Sequence, residues 1–203
     1  SINNTGTITN TGSGTSANLN STIGTTALQG TTILTGVIGS NVTNIIENSP
    51  TSDLLLGAVN SSYTGNITIT NGTVVINSKA SALGSGAGSV VLGASSSSNN
   101  AGLVFGGRLL NVTGASESYS NPISVLGTGT NFISATDFAV TFSGAVTLNS
   151  NTLTVSTNNS GGSTITMSGG VTGTGNIVAN NAVTTVSNAG ESIKFTSLLN
   201  NVG

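Results

Sequence analysis

The sequence predicts an all-β fold, a parallel β-solenoid drawn out into an elongated rod. Three observations lead to it: short segments of alternating apolar and polar residues, turn-forming Gly and Asn between them, and phrases that recur far apart in the chain.

The alternating segments are Asn66-Ile67-Thr68-Ile69-Thr70, Ser89-Val90-Val91-Leu92, Ala139-Val140-Thr141-Phe142, Ala145-Val146-Thr147-Leu148, Thr152-Leu153-Thr154-Val155 and Thr164-Ile165-Thr166-Met167. Period two with β-branched residues suits the pleat of a strand, where successive side chains point to opposite faces. Between them stand Asn71-Gly72, Ser143-Gly144, Asn149-Ser150-Asn151 and Gly161-Gly162. Gly and Asn accept the positive φ that tight turns demand. Helical signals are weak, since apolar residues seldom recur at i, i+3 and i+4 and Glu and Lys are scarce. At most one short helical turn is expected, near Asn44 to Glu47.

Composition decides what kind of body these strands can build. Gly, Ser, Thr and Asn make up roughly three-fifths of the 203 residues, far above ordinary usage. Such a bias often accompanies disorder, but disorder also needs low hydrophobicity and high net charge. Here hydrophobic residues are 35%, charged residues 4% and the net charge is -2. A core can therefore be buried. With no Trp, two Tyr and five Phe, that core must be thin and made of Val, Ile, Leu and Ala, which suits a stack better than a globule.

Many short strands also fit a sandwich or a barrel. The recurring phrases favour stacked coils. Thr32-Ile33-Leu34-Thr35-Gly36-Val37-Ile38-Gly39 is similar to Thr164-Ile165-Thr166-Met167-Ser168-Gly169-Gly170-Val171, and Ile8-Thr9-Asn10-Thr11-Gly12 to Val186-Ser187-Asn188-Ala189-Gly190. In stacked coils each backbone pairs with the coils above and below at about 4.8 Å, so identical Asn or Thr residues form ladders. At about 20 to 25 residues per coil, residues 1–203 would form a single stack of about eight to ten coils, about 40 to 50 Å long.

Tyr63-Thr64-Gly65-Asn66-Ile67-Thr68-Ile69-Thr70-Asn71-Gly72-Thr73-Val74-Val75-Ile76-Asn77, followed by Ala82-Leu83-Gly84-Ser85-Gly86, resembles the passenger-associated repeat of bacterial autotransporters. That repeat runs Y-T-G, an alternating strand, N-x-G-T-L-x-V, then a-L-G-x-G. Asn121-Pro122-Ile123-Ser124-Val125-Leu126-Gly127-Thr128-Gly129 and Ser168-Gly169-Gly170-Val171-Thr172-Gly173-Thr174-Gly175-Asn176-Ile177 resemble two further phrases of these passengers, in the family's order. The family's lead-in G-x-G-T-L-T-L-x-G is degraded here to Ser52-Asp53-Leu54-Leu55-Leu56-Gly57. The resemblance implies a right-handed, single-stranded parallel β-helix exported to the bacterial cell surface. It does not imply self-transport by this chain.

Several chemistries are excluded by what the sequence lacks. There is no His and no Cys, which removes Ser-His-Asp and Cys-His catalysis and the common zinc arrangements. The repeating acidic calcium motif Gly-Gly-x-Gly-x-Asp is missing as well. The eight charged residues, Glu47, Asp53, Lys79, Arg108, Glu117, Asp137, Glu191 and Lys194, are scattered singly, so no basic patch can neutralise a nucleic-acid backbone. The longest apolar runs are pieces such as Leu54-Leu55-Leu56 and Leu103-Val104-Phe105, far short of a transmembrane helix.

Weaker candidates have plainer readings. Glu47 and Asp53 are the closest acidic pair for a groove of the glycosidase kind, but solvation of a turn is preferred. Gly84-Ser85-Gly86-Ala87-Gly88 lacks the Lys-Ser/Thr and helix of a phosphate loop and fits a coil turn. Asn20, Asn41, Asn66 and Asn111 head Asn-x-Ser/Thr sequons that chance supplies in such a composition. The pairs Thr7/Thr9, Thr68/Thr70 and Thr164/Thr166 are too irregular for an ice-binding face. Phe105, Tyr119, Phe132, Phe138 and Phe142 are expected to fill the core, Phe142 on the same side of its strand as Val140.

The chain begins at Ser1 without a Met or an apolar leader, as a matured product or an excerpt of a longer surface protein or fibre would. The expected role is structural and adhesive, at the extracellular surface of a bacterium, with a cell-surface or matrix ligand. No enzymatic activity, catalytic residue, cofactor, metal, nucleic-acid partner or transmembrane segment is expected. The alternative is an extracellular filament or lattice subunit, a homo-oligomer stacking head-to-tail through open solenoid edges, because both ends read as ordinary coils without a charged or proline cap.

Overall fold

A computed structural model describes residues 1–14, 31–77, 80–106, 116–136, 138–157, 163–181 and 192–197. It is all-β: parallel sheets curl into a half-barrel, and no helix occurs among the described residues. A first sheet stacks β1 (Gly6–Asn10), β3 (Val42–Asn48), the first part of β5 (Asn66–Ile76), β6 (Val90–Leu92), β9 (Ile123–Val125), β12 (Val146–Thr147) and β15 (Val171–Thr172). A second stacks β2 (Thr32–Leu34), β4 (Leu54–Leu56), the remainder of β5, β7 (Ala101–Phe105), β10 (Asn131–Ala135), β13 (Asn151–Thr157) and β16 (Gly175–Asn181). Because β5 runs through both, they form one 13-stranded sheet. A third, 4-stranded sheet holds β8 (Glu117–Tyr119), β11 (Val140–Phe142), β14 (Thr164–Met167) and β17 (Ser192–Phe195).

Every ladder between these strands is parallel. From β8 to β17 the chain visits third, first and second sheet in turn, completing that order three times before ending on the third. Side-chain hydrogen bonds join residues one circuit apart, with separations of 22 from Asn60 to Ala82, 24 from Ser143 to Tyr119 and 26 from Ser168 to Phe142. Longer circuits exist where a loop is inserted, as in the separation of 33 from Asn121 to Gly88.

Asn44 to Glu47, the one place where the sequence allows a helical turn, is instead part of β3. Asn44, Ile45, Ile46 and Glu47 pair on one side with Thr7, Ile8, Thr9 and Asn10, and on the other with Asn66, Ile67, Thr68 and Ile69. Two flanking strands satisfy these backbone groups across the sheet, which a single isolated helical turn cannot match.

Register stacks like on like. Ile8, Ile45, Ile67, Val90, Ile123, Val146 and Val171 form one inward column of the first sheet. Leu54, Val74, Leu103, Ile133 and Val155 do the same in the second. Most of these side chains are almost fully buried, each stabilising the stack by about 1.5–3 kcal/mol. Leu55, Val75 and Val104 alternate to the opposite side, outside that main cluster, and are buried as well.

One corner of the circuit is sterically specified. Two residues before Ile45, Ile67, Val90, Ile123, Val146 and Val171 stand Thr43, Gly65, Gly88, Asn121, Gly144 and Gly169. A Cβ at Gly65 would lie 2.3 Å from the Thr43 carbonyl oxygen, and one at Gly88 only 1.8 Å from that of Gly65. Gly144 and Gly169 would clash similarly, at 2.2 Å from the Asn121 and Gly144 oxygens. At Gly65, Gly88, Gly144 and Gly169 the backbone thus sits directly on the carbonyl of the neighbouring segment in the stack, where a side chain has no room. Asn121 departs from the column by turning its amide inward, where Nδ2 donates to the Leu83 and Gly88 carbonyls at 3.0 and 2.9 Å.

Tyr63 anchors the same corner. It is fully buried, and its hydroxyl donates to the Asn66 carbonyl. Tyr63→Phe is expected to lower stability by about 1 kcal/mol, read from the denaturant midpoint.

Candidate functional site

Alternation carries Glu47 into the interior. It stands in the column Asn10, Glu47, Ile69, Leu92, Val125, so a carboxyl occupies a level that later coils fill with apolar side chains. Glu47 is fully buried. Oε2 accepts from Asn10 Nδ2 at 2.8 Å and Oε1 from the Ser49 N–H at 2.9 Å.

A second ring of bonds holds these partners. Asn10 Nδ2 also donates to the Ser52 carbonyl at 3.1 Å, while its Oδ1 accepts from Thr32 Oγ1 at 2.9 Å and the Gly12 N–H at 3.2 Å. The Ser49 hydroxyl donates to the Gly12 carbonyl and accepts from the Ser52 N–H at 2.9 Å. The network therefore ties β1, β2, β3 and the turn after β3 into one unit. Burial pushes the Glu47 carboxyl up to about 7, against the pull of the Asn10 and Ser49 hydrogen bonds, and the Asp53 charge pushes it the same way.

The placement of Glu47 in a solvated turn is thus corrected, although the Asp53 charge does bear on it. Asp53 is half-buried just before β4, whereas Glu47 faces the interior alongside Ile45. The alternation of β3 was the signal that could have placed it.

A second buried carboxyl, Glu117, begins the column continued by Val140, Ile165 and Ile193. The Tyr119 hydroxyl donates to Glu117 Oε2. Burial, reinforced by the Glu117 carboxylate, pushes the Tyr119 phenol far above its ordinary value. The Tyr119 ring lies 5.3 Å from Phe105 and 6.2 Å from Phe142, and those two are 5.4 Å apart. Phe138 is buried too, and Phe142 shares its side with Val140. Phe132 departs from the expected core filling. Its neighbours Asn131 and Ile133 point inward, so its ring lies outside, over Gly102, where a Cβ would come within 2.1 Å of it.

Outward columns are mostly hydroxyl and amide. The first sheet presents Thr9, Ile46, Thr68, Val91, Ser124, Thr147 and Thr172 in register, and the third Ser118, Thr141, Thr166 and Lys194. Cross-coil bonds fix them: Thr70 Oγ1 donates to Asn48 Oδ1 at 2.9 Å and Asn149 Nδ2 to Ser124 Oγ at 3.0 Å. The Thr7/Thr9 and Thr68/Thr70 pairs lie on the first sheet and Thr164/Thr166 on the third, so they do not make one face.

Gly84-Ser85-Gly86-Ala87-Gly88 forms a coil turn, with the Ser85 N–H donating to the Tyr63 carbonyl at 2.8 Å. Asn41 is exposed, and Asn66 Oδ1 accepts from the Ser89 N–H at 2.9 Å. Asn20, Asn111, Lys79, Arg108, Asp137 and Glu191 lie outside the described residues. Among the described residues no three His, Cys, Asp or Glu side chains gather as metal ligands, and no helix is long and apolar enough to cross a membrane. Compared with known protein families, curated proteins and solved structures, the chain matches none.

Proposed function

We propose that the chain is part of a right-handed, single-stranded parallel β-helix, passenger-like, that forms a stiff rod at the extracellular surface of a bacterium and acts as a structural and adhesive element rather than an enzyme. The observation that carries this reading is the cyclic visiting of three parallel sheets from β8 to β17, with each strand laid on the one a circuit earlier. The passenger-like phrases support it physically. Gly84 packs where a Cβ would meet the Tyr63 carbonyl at 2.5 Å, so Y-T-G and a-L-G-x-G touch through this pair, and Gly88, just beyond the second phrase, packs in the same way over Gly65. The hydroxyl and amide columns suit neutral, polyhydroxylated partners on a cell surface or matrix, because hydrogen bonding is what they offer.

Two measurements test the proposal. Electron micrographs of the purified chain should show short rods; compact globules would overturn the β-helix reading. Beads coated with the chain should hold to matrix or cell surfaces with little dependence on salt, since few charges are available to be screened. Adhesion abolished by added salt would argue for a charged partner and against this face.

One observation favours the head-to-tail filament as a second reading. β2 and β16, at opposite ends of the second sheet, each pair on one side only among the described residues. Sedimentation at rising concentration distinguishes the two: a monomer throughout removes the filament, and growing linear species favour it.

A further inference from the structure

We infer that Glu47 is a proton-operated switch: protonated, its buried carboxyl lets β1 and β2 stay packed on β3, and ionised, the cost of burying its charge loosens that end of the stack. The argument starts from geometry. The carboxyl is fully buried in a column that is apolar one coil further on, at Ile69. Its hydrogen-bond partners, the Asn10 amide and the Ser49 N–H, are neutral donors; they favour the ionised form, and burial outweighs them. β5 closes the remaining side with backbone, since a Cβ on Gly72 would lie 3.0 Å from Oε1.

The groups facing the carboxyl decide which state is tolerated. β1 contributes Asn10 and β2 reaches it through Thr32, both uncharged. The turn after β3 contributes Ser49 and Ser52, also uncharged. The charged group bearing on it is Asp53, whose negative charge opposes ionisation. The cationic side chain among the described residues is Lys194, on β17 in the third sheet, which does not contain β3. A buried carboxylate without a cation is expensive, and proteins relieve the cost by keeping the proton or by opening to water.

The direction with pH follows. The folded-state value of about 7 lies above the ordinary 4.5, so between those limits the folded chain keeps a proton that the unfolded chain has released. The contribution of the protonated form is fully present below about pH 4.5 and is lost as pH rises through about 7. The strands that open are those the network holds, β1 and β2, and not the apolar coils beyond β5.

Hydrogen exchange on the whole chain at several pH values, corrected for intrinsic exchange rates, tests this. Protection in β1 should fall by at least about tenfold between about pH 5 and 8, while β10 and β13 hold theirs. Glu47→Gln, which keeps the shape and cannot ionise, should make β1 protection flat with pH. A flat wild-type profile, or a slope that survives in Glu47→Gln, would overturn the switch. Should Glu47→Gln fail to fold, carbon NMR of the Glu47 carboxyl in the wild-type chain decides: a midpoint near 7 supports the switch, and one in the ordinary carboxylate range removes it.

Discussion

Replacing Gly88 with alanine should destabilise the chain by on the order of 3 kcal/mol, measured as a lower denaturant midpoint. The new Cβ would lie 1.8 Å from the Gly65 carbonyl oxygen and 2.9 Å from that of Thr64. Neither neighbour is the flexible end of a side chain; both are backbone, held by the Ile67 N–H bond to Ser89 and by the ladder of β5 with β6. Relief therefore requires the two stacked segments to part at this point, which lengthens hydrogen bonds on either side. Gly36→Ala provides the contrast, because the nearest atom to its Cβ is Ile2 Cγ1 at 3.8 Å, an ordinary contact. That variant should stay within about 0.5 kcal/mol of wild type. Equal effects from both substitutions would show that close approach at the corner is not what selects glycine there.

The same corner shows how far the sequence could be read. Alternation located the strands at Asn66-Ile67-Thr68-Ile69-Thr70, at Val140, Val146, Leu153 and Ile165, because a pleated half-buried strand needs only a local pattern. The all-β character followed from these, whereas parallel stacking was argued from the recurring phrases together with the small-residue composition. Equivalence between coils was less legible. Thr32-Ile33-Leu34 resembles Thr164-Ile165-Thr166, yet the first lies in β2 of the second sheet and the second in β14 of the third. In a chain so rich in Thr and β-branched residues, any two strands look alike, whichever face they occupy. Stacking is specified instead by what surrounds the strand, such as a glycine two residues before Ile67, Val90, Val146 and Val171.

The interior carboxyls were only partly legible for a related reason: alternation along β3 could place Glu47 inward, but nothing local showed what would hold it there. Glu47 and Glu117 are charged residues at positions where alternation expects an apolar side chain, and composition assigns such residues to the surface. What holds them inside comes from strands distant in sequence: Asn10, 37 residues away, bonds to Glu47. Leu55 and Val75 carry the opposite lesson. The run Leu54-Leu55-Leu56 breaks alternation because both of its faces are dry, as happens in parallel sheets, and a continuous apolar run is its local signature.

Truncating Phe142 to alanine should lower stability by about 3–5 kcal/mol, the range for deleting a buried aromatic ring. The core between the sheets is thin, and Phe142 is among its few large side chains, with Phe105 and Tyr119 as the rings it touches. Its column continues to Met167 and Phe195, so the lost volume lies between coils, and the ladders from β8 to β17 hold the backbone at fixed spacing and keep it from collapsing into the gap. The vacancy would also open beside the Tyr119 ring, whose hydroxyl bonds to Glu117. Phe142→Leu keeps most of the volume and should recover more than half of the loss. Phe132→Ala separates burial from aromaticity as such: that ring lies outside, half-buried over Gly102, and its removal should cost about 1 kcal/mol. Thermal midpoints of the three variants in one buffer rank these effects. A Phe132→Ala penalty as large as that of Phe142→Ala would mean that the outer face of the second sheet, rather than the thin interior, carries the aromatic contribution to stability.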